Sequence, residues 1–458
     1  MNFRHVHHLH FVGIGGVGMC GLAELLHAQG FAVSGCDLTA GETTERLASL
    51  GIPVAIGHAM AHLGDAQVVV ISSAVAGTNP EVEAARAAGL PVIRRAEMLG
   101  EISRLKWGIA VAGTHGKTTT TSLLGHILTD AGWDPTVIVG GRVHLLGAHA
   151  RLGRSEYLIC EADEFDRSFL TLHPVVAVIT NVEAEHLDTY GTVAAMEDAF
   201  LEFTGRVPFY GVTVVCGDDA GVRRILPRLT RQVVTYGLGE DSEIRATDLR
   251  ANTAGTRATL VRSGEELGEV IVPMPGRHML LDAMAATTAA LEAGVRFSTI
   301  ATAIASFSGV ARRFERKGER ADVVLVDDYA HHPTEVAATL AAARQSFPTR
   351  RVVAVFQPHL FSRTRTFATA FATALGVADV VVVLPIYPAR ETPLPGVTHR
   401  LVSDALIAAG HSAVEVCDSF DDALQRLETI LRPNDLFLTL GAGNVVRLGE
   451  RWLAGGRS

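Results

Sequence analysis

Residues 109–124 read Ile-Ala-Val-Ala-Gly-Thr-His-Gly-Lys-Thr-Thr-Thr-Thr-Ser-Leu-Leu. The apolar run from Ile109 to Ala112 predicts a strand, which leads through a turn of small residues into Lys117 and a threonine-rich helix start. Glycines in the turn allow successive backbone N–H groups to face one point, and the helix start adds further donors. The stretch therefore predicts a phosphate-binding loop in an α/β fold.

Two residues of this loop carry specific chemistry. Lys117 supplies a mobile positive charge for the outer phosphates, and Thr118 supplies a hydroxyl for the accompanying Mg²⁺. The spacing departs from G-x-x-x-x-G-K-[ST], because Val111 stands where the first glycine is expected and Gly113 comes two residues later. An ordinary strand-to-helix turn is the alternative, but the preceding strand and following helix favour nucleotide binding.

A second glycine-rich turn lies near the start of the chain. The segment Gly13-Ile-Gly15-Gly16-Val-Gly18 follows a predicted strand at 7–12 and precedes a helix, with Asp37 about 20 residues further on. This pattern predicts a diphosphate site. A nicotinamide dehydrogenase with Asp37 on the ribose is an alternative, but it would leave the lysine loop unexplained.

Acidic clusters follow two predicted strands of the central segment. Glu161-Ala-Asp163-Glu164-Phe-Asp166 ends one strand, and Asn181-Val-Glu183-Ala-Glu185-His186-Leu-Asp188 ends the next. The carboxyl ends of parallel strands meet at one sheet edge, so both clusters should face the phosphate loop. Carboxylates beside phosphates require a cation, and hard oxygen ligands indicate Mg²⁺. For His186 alone, a hydrogen-bonded loop histidine is the simpler interpretation.

The last third of the chain alternates strands and helices, which predicts a mostly parallel sheet. Polar loops follow four of its strands. They are Asp327-Asp328-Tyr329-Ala-His331-His332, Gln357-Pro-His359-Leu-Phe-Ser362-Arg363, Tyr387-Pro-Ala-Arg390-Glu391 and Gly441-Ala-Gly443-Asn444.

The composition of the chain excludes several classes of protein. The 458 residues suffice for about three domains. A net charge of −9 without a basic block argues against nucleic acid or a membrane surface as partner, and no apolar run approaches a membrane span. The five cysteines are scattered without metal-ligand spacing, and the chain starts almost directly with a strand. We therefore expect reduced core cysteines and a cytoplasmic protein.

These motifs together resemble the bacterial muropeptide ligases. The resemblance rests on Gly-Ile-Gly-Gly-Val-Gly-Met, Gly-Thr-His-Gly-Lys-Thr-Thr-Thr-Thr, Glu-Ala-Asp-Glu-Phe-Asp, His-Leu-Asp-Thr-Tyr, Arg-Arg-Phe-Glu, Asp-Asp-Tyr-Ala-His-His-Pro-Thr-Glu and Phe-Gln-Pro-His. It implies an α/β fold of three domains. These are an N-terminal Rossmann-like UDP-sugar domain (1–103), a central P-loop-type ATPase domain with a small β portion (104–310), and a C-terminal Rossmann-like domain with a mostly parallel sheet (311–458).

The resemblance also implies a reaction. ATP would phosphorylate the lactoyl carboxylate of UDP-N-acetylmuramate, and the amine of L-alanine would displace phosphate from the acyl phosphate to form an amide. ATP and Mg²⁺ are the implied cofactors, peptidoglycan precursor synthesis is the implied process, and the protein would be a monomer or homodimer. Attachment of a whole recycled peptide to the same sugar nucleotide, and a non-enzymatic nucleotide switch, are the alternatives.

The resemblance also implies four sets of functional residues at matching positions of this sequence. The catalytic set is Lys117, His186, His331 and Arg363. The ATP set is Gly113, Thr114, His115, Gly116, Lys117, Thr118, Thr119, Arg313 and Asp328. The substrate set is Gly15, Gly16, Gly18, Asp37, Ser72, Ser73, His359 and Arg363. The Mg²⁺ set is Thr118, Glu161 and His186.

Three positions depart from the family pattern. Met279 and Asp282 stand where the family usually has asparagines near adenine, and Leu360 stands where an arginine often follows the histidine. Residues 196–209 contain no lysine, which agrees with an alanine-adding enzyme that lacks the carbamylated lysine of related ligases.

Overall fold

The structure is a computed structural model. It describes residue 3 and residues 5–72, 74–139, 150–165, 167–185, 187–252, 254–389 and 391–455. Ser73 and His186, both expected in ligand sites, lie outside the described residues. The chain divides into two compact units, of which the first comprises residues 1–247, 260–268 and 281–304, and the second comprises 248–259, 269–280 and 305–458.

The first unit begins with a five-stranded, all-parallel sheet in the order β3-β2-β1-β4-β5. The elements are β1 (His8–Val12), α1 (Val17–Ala28), β2 (Ala32–Asp37), α2 (Glu42–Ser49), β3 (Val54–Ile56), β4 (Val68–Ile71), α3 (Pro80–Ala87), β5 (Val92–Arg94) and α4 (Arg95–Arg104). Because the order reverses between β1 and β4, the loops after these two strands diverge and leave a crevice between them.

The same unit contains a second sheet, in which β12-β11-β10-β6-β9-β7-β8 are neighbours. The elements are β6 (Trp107–Ala112), α5 (Lys117–Asp130), β7 (Thr136–Ile138), β8 (Ala150–Arg151), β9 (Tyr157–Glu161), β10 (Val176–Ile179), α6 (Leu187–Tyr190), α7 (Val193–Gly205), β11 (Val212–Cys216), α8 (Ala220–Ile225) and β12 (Gln232–Gly237). The pairs from β9 through β12 are parallel, and β6 lies between β9 and β10.

The chain then forms a small β portion whose residues are shared between the two units. It consists of β13 (Ile244–Asn252), β14 (Gly255–Arg262) and β15 (Glu265–Val272), followed by α9 (Arg277–Glu292) and α10 (Phe297–Ser306). Within the first unit, β13 continues the sheet by pairing with β12 at Tyr236 and Gly237.

The second unit is built on a six-stranded sheet in the order β16-β17-β21-β18-β19-β20. Its elements are β16 (Glu315–Arg320), β17 (Val323–Asp328), α11 (Pro333–Ser346), β18 (Arg351–Phe356), α12 (Phe361–Leu375), β19 (Val380–Val383), α13 (Arg400–Ala408), β20 (Val414–Val416), α14 (Phe420–Ile430), β21 (Asp435–Leu440) and α15 (Val446–Leu453). Only β16 is antiparallel among the described pairs, and two apolar core layers cover the two faces of the sheet.

The predicted fold class is confirmed, including the small central β portion and the mostly parallel C-terminal sheet. The domain boundaries at residues 103 and 310 stay a prediction. All five cysteines are buried and free of disulfides, as expected for reduced core residues. Among the described residues, no helix combines the length and apolar character that crossing a membrane requires.

Candidate functional site

The lysine loop has the backbone conformation that its glycines predict. Gly113 has φ +132° and Gly116, the residue before α5, has φ +82°, both values that side chains other than glycine rarely adopt. A Cβ atom at Gly113 would overlap the hydroxyl of Thr180, and one at Gly116 would overlap the carboxylate of Asp282. The turn is therefore a close backbone approach that requires glycine at both positions.

The loop after β10 braces the lysine loop from one side. The backbone N–H of His115 donates to Asn181 Oδ1 at 2.8 Å, and the backbone N–H of Glu183 donates to Thr114 Oγ1 at 3.0 Å. The Thr180 hydroxyl donates to the carbonyl of His115 at 2.5 Å. These bonds hold the loop in one conformation without using the first turn of α5, whose N–H groups have no intrahelical acceptor.

The acidic strand end after β9 lies on the other side of the loop and holds the lysine. The Lys117 ammonium donates to Glu164 at 2.9 and 3.1 Å, and to the carbonyl of Gly113 at 2.6 Å. The Lys117 side chain is 16% exposed and that of Glu164 only 1%. Burial lowers the pKa of Lys117, but the nearby carboxylates, Glu164 foremost, outweigh burial and raise it. Lys117 is therefore a charged ammonium at the loop.

The structure brings two of the expected magnesium ligands to the same edge of the sheet. Glu161 is the last residue of β9 and pairs with Val111 of β6, directly before the loop. Thr118 lies in the first turn of α5, followed by the buried Thr119. The Glu161 carboxylate also contributes to the raised pKa of Lys117, so it acts electrostatically on the same site. Oxygen donors of these two kinds suit Mg²⁺.

Asp282 lies in contact with the lysine loop. It stands in α9 within the first unit, it is 7% exposed, and its carboxylate oxygens are the nearest atoms to a Cβ built at Gly116. A family departure noted in the sequence therefore lies beside the predicted phosphate loop.

The N-terminal crevice contains most of the residues predicted to bind the sugar nucleotide. A cavity of about 850 Å³ is lined by Gly13, Gly15, Gly16, Asp37 and Ser72, among others. The Asp37 carboxylate accepts a hydrogen bond from the N–H of Gly15 at 2.8 Å, which ties the end of β2 to the glycine turn.

Gly18, also predicted to bind substrate, lies in α1 under the guanidinium of Arg95, which a Cβ at position 18 would contact at 2.9 Å. Arg95 was not predicted as a site residue. Its position immediately after β5, at the edge where the strands end, is the signal that could have identified it.

In the second unit, Asp328 and Arg313 lie together at the end of β17. Asp328 is buried and accepts hydrogen bonds at 2.8 Å from the backbone N–H groups of Ala330 and Phe314. Burial raises the pKa of Asp328 to about 6, although the Arg313 guanidinium and these hydrogen bonds lower it. Arg313 also lies over the ring of Tyr329, 5.3 Å from its centroid.

The remaining predicted residues of this unit form one connected group. His331 lies 3.0 Å from the Glu335 carboxylate and contacts the ring of His359 with centroids 5.7 Å apart. His359 stacks on Tyr387, and its Nδ1 lies 3.4 Å from the guanidinium of Arg363. Histidine side chains from the loops after β17 and β18 and an arginine from the first turn of α12 therefore form one group.

The four polar loops of the second unit meet as expected from the parallel sheet. Gln357 donates to Asn444 Oδ1 at 2.9 Å, which joins the loops after β18 and β21. Arg312 donates to Asp327 at 2.9 Å and to the carbonyl of Gly443 at 3.0 Å, which joins β17 to the β21 loop. Arg312 and Glu335 were not predicted as site residues. Both belong to motifs that carry the resemblance, Arg-Arg-Phe-Glu and Asp-Asp-Tyr-Ala-His-His-Pro-Thr-Glu, and those motifs are the signal that could have identified them.

Models of one protein family match three successive parts of the chain. They are the Mur ligase family catalytic domain at residues 8–107, the Mur ligase middle domain at 111–290, and the Mur ligase glutamate ligase domain at 312–443. The UDP-N-acetylmuramate–L-alanine ligase of Solidesulfovibrio magneticus is 52% identical over 98% of this chain and 98% of its own. The chain belongs to the Mur ligase family.

Other Mur ligases share both sequence and fold with this one. The UDP-N-acetylmuramate–L-alanine ligase of Oleidesulfovibrio alaskensis is 50% identical over 98% of this chain and 99% of its own. Among solved structures, the UDP-N-acetylmuramate–alanine ligase of Thermotoga maritima has a TM-score of 0.80 at 28% identity, and the murein peptide ligase of Psychrobacter arcticus has 0.68 at 25% identity. Each covers 98% of both chains.

Proposed function

We propose that this Mur ligase joins L-alanine to the lactoyl carboxylate of UDP-N-acetylmuramate at the expense of ATP. A carboxylate oxygen attacks the γ-phosphorus, and ADP leaves with the bridging oxygen. The alanine nitrogen then attacks the carbonyl carbon of the acyl phosphate and loses a proton, and phosphate leaves. The products are ADP, phosphate and an amide in the synthesis of peptidoglycan precursors.

Two kinds of observation support this function. The curated relatives with about 50% identity over nearly the whole chain are named UDP-N-acetylmuramate–L-alanine ligases, which favours L-alanine over a recycled peptide. The observation that carries the ATP-dependent chemistry is the braced Gly113–Lys117 turn, which fits a phosphate by backbone geometry and by the charge of Lys117.

In this proposal the lysine loop binds ATP and neutralises its phosphates. Gly113 to Thr119 surround the phosphates with backbone N–H groups, and Lys117 exchanges its present carboxylate and carbonyl partners for phosphate oxygens. Thr118 and Glu161, together with His186, would hold Mg²⁺. When bound, Mg²⁺ supplies positive charge against the phosphate oxygens, a stabilisation of several kcal/mol.

The second unit contains further residues that we propose contact ATP and the amine. Arg313 and Asp328 are the proposed ATP contacts. His331, His359 and Arg363 would bind the amino acid and the transferred phosphate, because Arg363 can bind anionic oxygens in a bidentate manner. Glu335 holds the ring of His331 from Nδ1, so the opposite ring nitrogen is directed away from that carboxylate.

The N-terminal cavity would hold the UDP moiety. Its glycine turn allows a diphosphate to approach the backbone, with Gly15 and Gly16 before α1, Gly18 in the first turn of α1 and Ser72 directly after β4. Ser73, which lies outside the described residues, is a further proposed contact. Asp37 would act by fixing the Gly15 N–H through the 2.8 Å hydrogen bond, which shapes the turn.

The direct test is phosphate release by the purified protein with each component omitted in turn. We expect release only when ATP, Mg²⁺, UDP-N-acetylmuramate and an amino acid are all present. Equal ATP hydrolysis without the sugar nucleotide would refute the ligase function. Parallel reactions with L-alanine, glycine, L-serine and a murein tripeptide would establish selectivity, and a preference for the tripeptide would instead support the recycling activity.

Lys117→Ala provides the matched test of the loop. We expect turnover to fall below detection, because no other lysine lies in this motif. The control is Lys106→Ala, which removes another lysine of the same unit that donates to the carbonyl of Ser155. Retained turnover in Lys117→Ala, or equal loss in both variants, would contradict the phosphate role.

A further inference from the structure

A buried group of nitrogen, sulfur and oxygen ligands lies in the N-terminal sheet and has no role in the ligase chemistry. His10 comes from β1, Cys36 from the end of β2, and Glu81 from the first turn of α3. These residues are 1%, 0% and 0% exposed. One potential ligand atom from each lies within 4.8 Å of the other two. Three metal-binding side chains therefore converge inside one domain.

A fourth candidate ligand approaches from the cavity side. His58, which lines the N-terminal cavity, places Nδ1 3.2 Å from Cys36 Sγ and 3.6 Å from Glu81 Oε1. We propose that His10, Cys36 and Glu81 bind a Zn²⁺ ion, with His58 adjacent to the fourth position. The ion would anchor the wall of the cavity to the centre of the sheet.

The distances between the candidate ligand atoms are short enough for these side chains to bind one ion after a small rearrangement. Bonds of 2.0–2.2 Å in a tetrahedron place nitrogen and oxygen ligands about 3.4 Å apart, and His10 Nε2 lies 3.2 Å from Glu81 Oε2. Cys36 Sγ lies 2.7 Å from the same oxygen. A sulfur–oxygen edge of such a tetrahedron is about 3.6 Å, so these two atoms must separate by about 1 Å when an ion enters.

Hydrogen bonds outside the cluster already orient its ligands. His10 Nδ1 lies 2.8 Å from the Ser34 hydroxyl, which directs Nε2 towards the cluster. Glu81 uses its other oxygen, Oε1, to accept from the N–H of Ala59 at 2.9 Å and to contact His62 Nδ1 at 2.8 Å. Hydrogen bonding of the second nitrogen or oxygen is the arrangement that fixes metal ligands in proteins.

The charges and donor types favour Zn²⁺. A divalent ion with the Cys36 thiolate and the Glu81 carboxylate has no net charge, so its burial avoids the large cost of an isolated charge. Binding releases one proton from the Cys36 thiol. A site of one sulfur, imidazole nitrogen and one carboxylate oxygen is typical of Zn²⁺ and unsuited to Mg²⁺.

The test uses the full chain, stripped with a chelator and titrated with Co²⁺ and then Zn²⁺. We expect the protein to bind about one equivalent of Co²⁺ and to show a thiolate-to-cobalt charge-transfer band. Addition of Zn²⁺ should abolish this band. This readout is independent of ligase activity. Absence of the band in the wild-type protein would overturn the proposal, and the cluster would then be a hydrogen-bonded network only.

Variants assign the band to the cluster. Cys36→Ser should abolish it, whereas Cys20→Ser should retain it, because Cys20 is a buried cysteine of a separate core layer. His10→Gln is the second ligand variant should Cys36→Ser not fold, and it should weaken Co²⁺ binding more than about 100-fold. His62→Gln should keep the band and weaken binding by about 10–100-fold. A band that persists in Cys36→Ser would overturn the proposal.

Discussion

The ion pair between Lys117 and Glu164 offers a quantitative test of the lysine loop. Both side chains are largely buried, and their closest approach is 2.9 Å. We consider Lys117→Met, Glu164→Gln and the double variant, each of which roughly preserves side-chain volume. Because the pair is buried, the two losses should be coupled, so that the double variant costs less than the sum of the two single variants.

The expected loss of unfolding free energy depends on which charged group remains in the buried site of each variant. Lys117→Met removes the ammonium that lies 2.9 Å from a carboxylate only 1% exposed, which should cost about 3–5 kcal/mol of unfolding free energy. Glu164→Gln leaves the ammonium its bonds to the carbonyls of Gly113 and Thr114, so we expect about 1–3 kcal/mol. The double variant should cost less than the sum by about 2 kcal/mol.

Urea unfolding followed by tryptophan fluorescence measures this coupling. Trp107 and Trp133 both contact Tyr157 in the central sheet of the first unit, with ring centroids 5.5 and 4.5 Å away, so they report on the strands beside the loop. If the two single costs add to within about 0.5 kcal/mol in the double variant, the side chains are not coupled and the ion pair does not hold Lys117.

Three further predictions concern single positions. Gly113→Ala should abolish ATP binding, measured by calorimetry, because φ +132° and the Thr180 hydroxyl exclude a methyl group. Arg312→Met should lower the unfolding free energy by about 3–5 kcal/mol, because it leaves the fully buried Asp327 carboxylate without its cation. Asp328 has a folded pKa of about 6, above its unfolded value, so it stabilises the fold when protonated. Relative to Asp328→Asn, the wild-type protein should lose up to about 3 kcal/mol as the pH rises from about 4 to about 7.

Matched control variants distinguish these specific effects on ATP binding and stability from a general loss of stability. Gly205→Ala is the control for the loop, because nothing lies within 4 Å of a Cβ there and its φ is not positive. Arg316→Met removes an exposed ion pair with Glu319 and should cost less than about 1 kcal/mol. Equal losses for Arg316 and Arg312, or parallel pH profiles for the wild type and Asp328→Asn, would contradict the burial arguments.

The local elements of the protein follow from its amino-acid sequence alone. The strand, turn and helix at residues 107–130 follow from an apolar run, two glycines and a helix-forming segment, all within one stretch of chain. The alternation of strands and helices also determined that polar loops would gather at the carboxyl edge of each sheet, since parallel strands all end on the same side. The reaction was inferred from the resemblance of the whole chain to the muropeptide ligases.

Which distant side chains contact each other depends on how the strands are arranged in three dimensions. Glu164 pairs with Lys117 across 47 residues, and no spacing rule distinguishes it from Glu161 or Asp163. His10 and Glu81 are 71 residues apart, and they meet because β1 neighbours β4, the strand that precedes α3. The sequence shows no metal-ligand spacing around Cys36, so neither His10 nor Glu81 could be connected with it from local pattern. Contacts of this kind depend on strand order, which places distant residues together and cannot be read from local pattern.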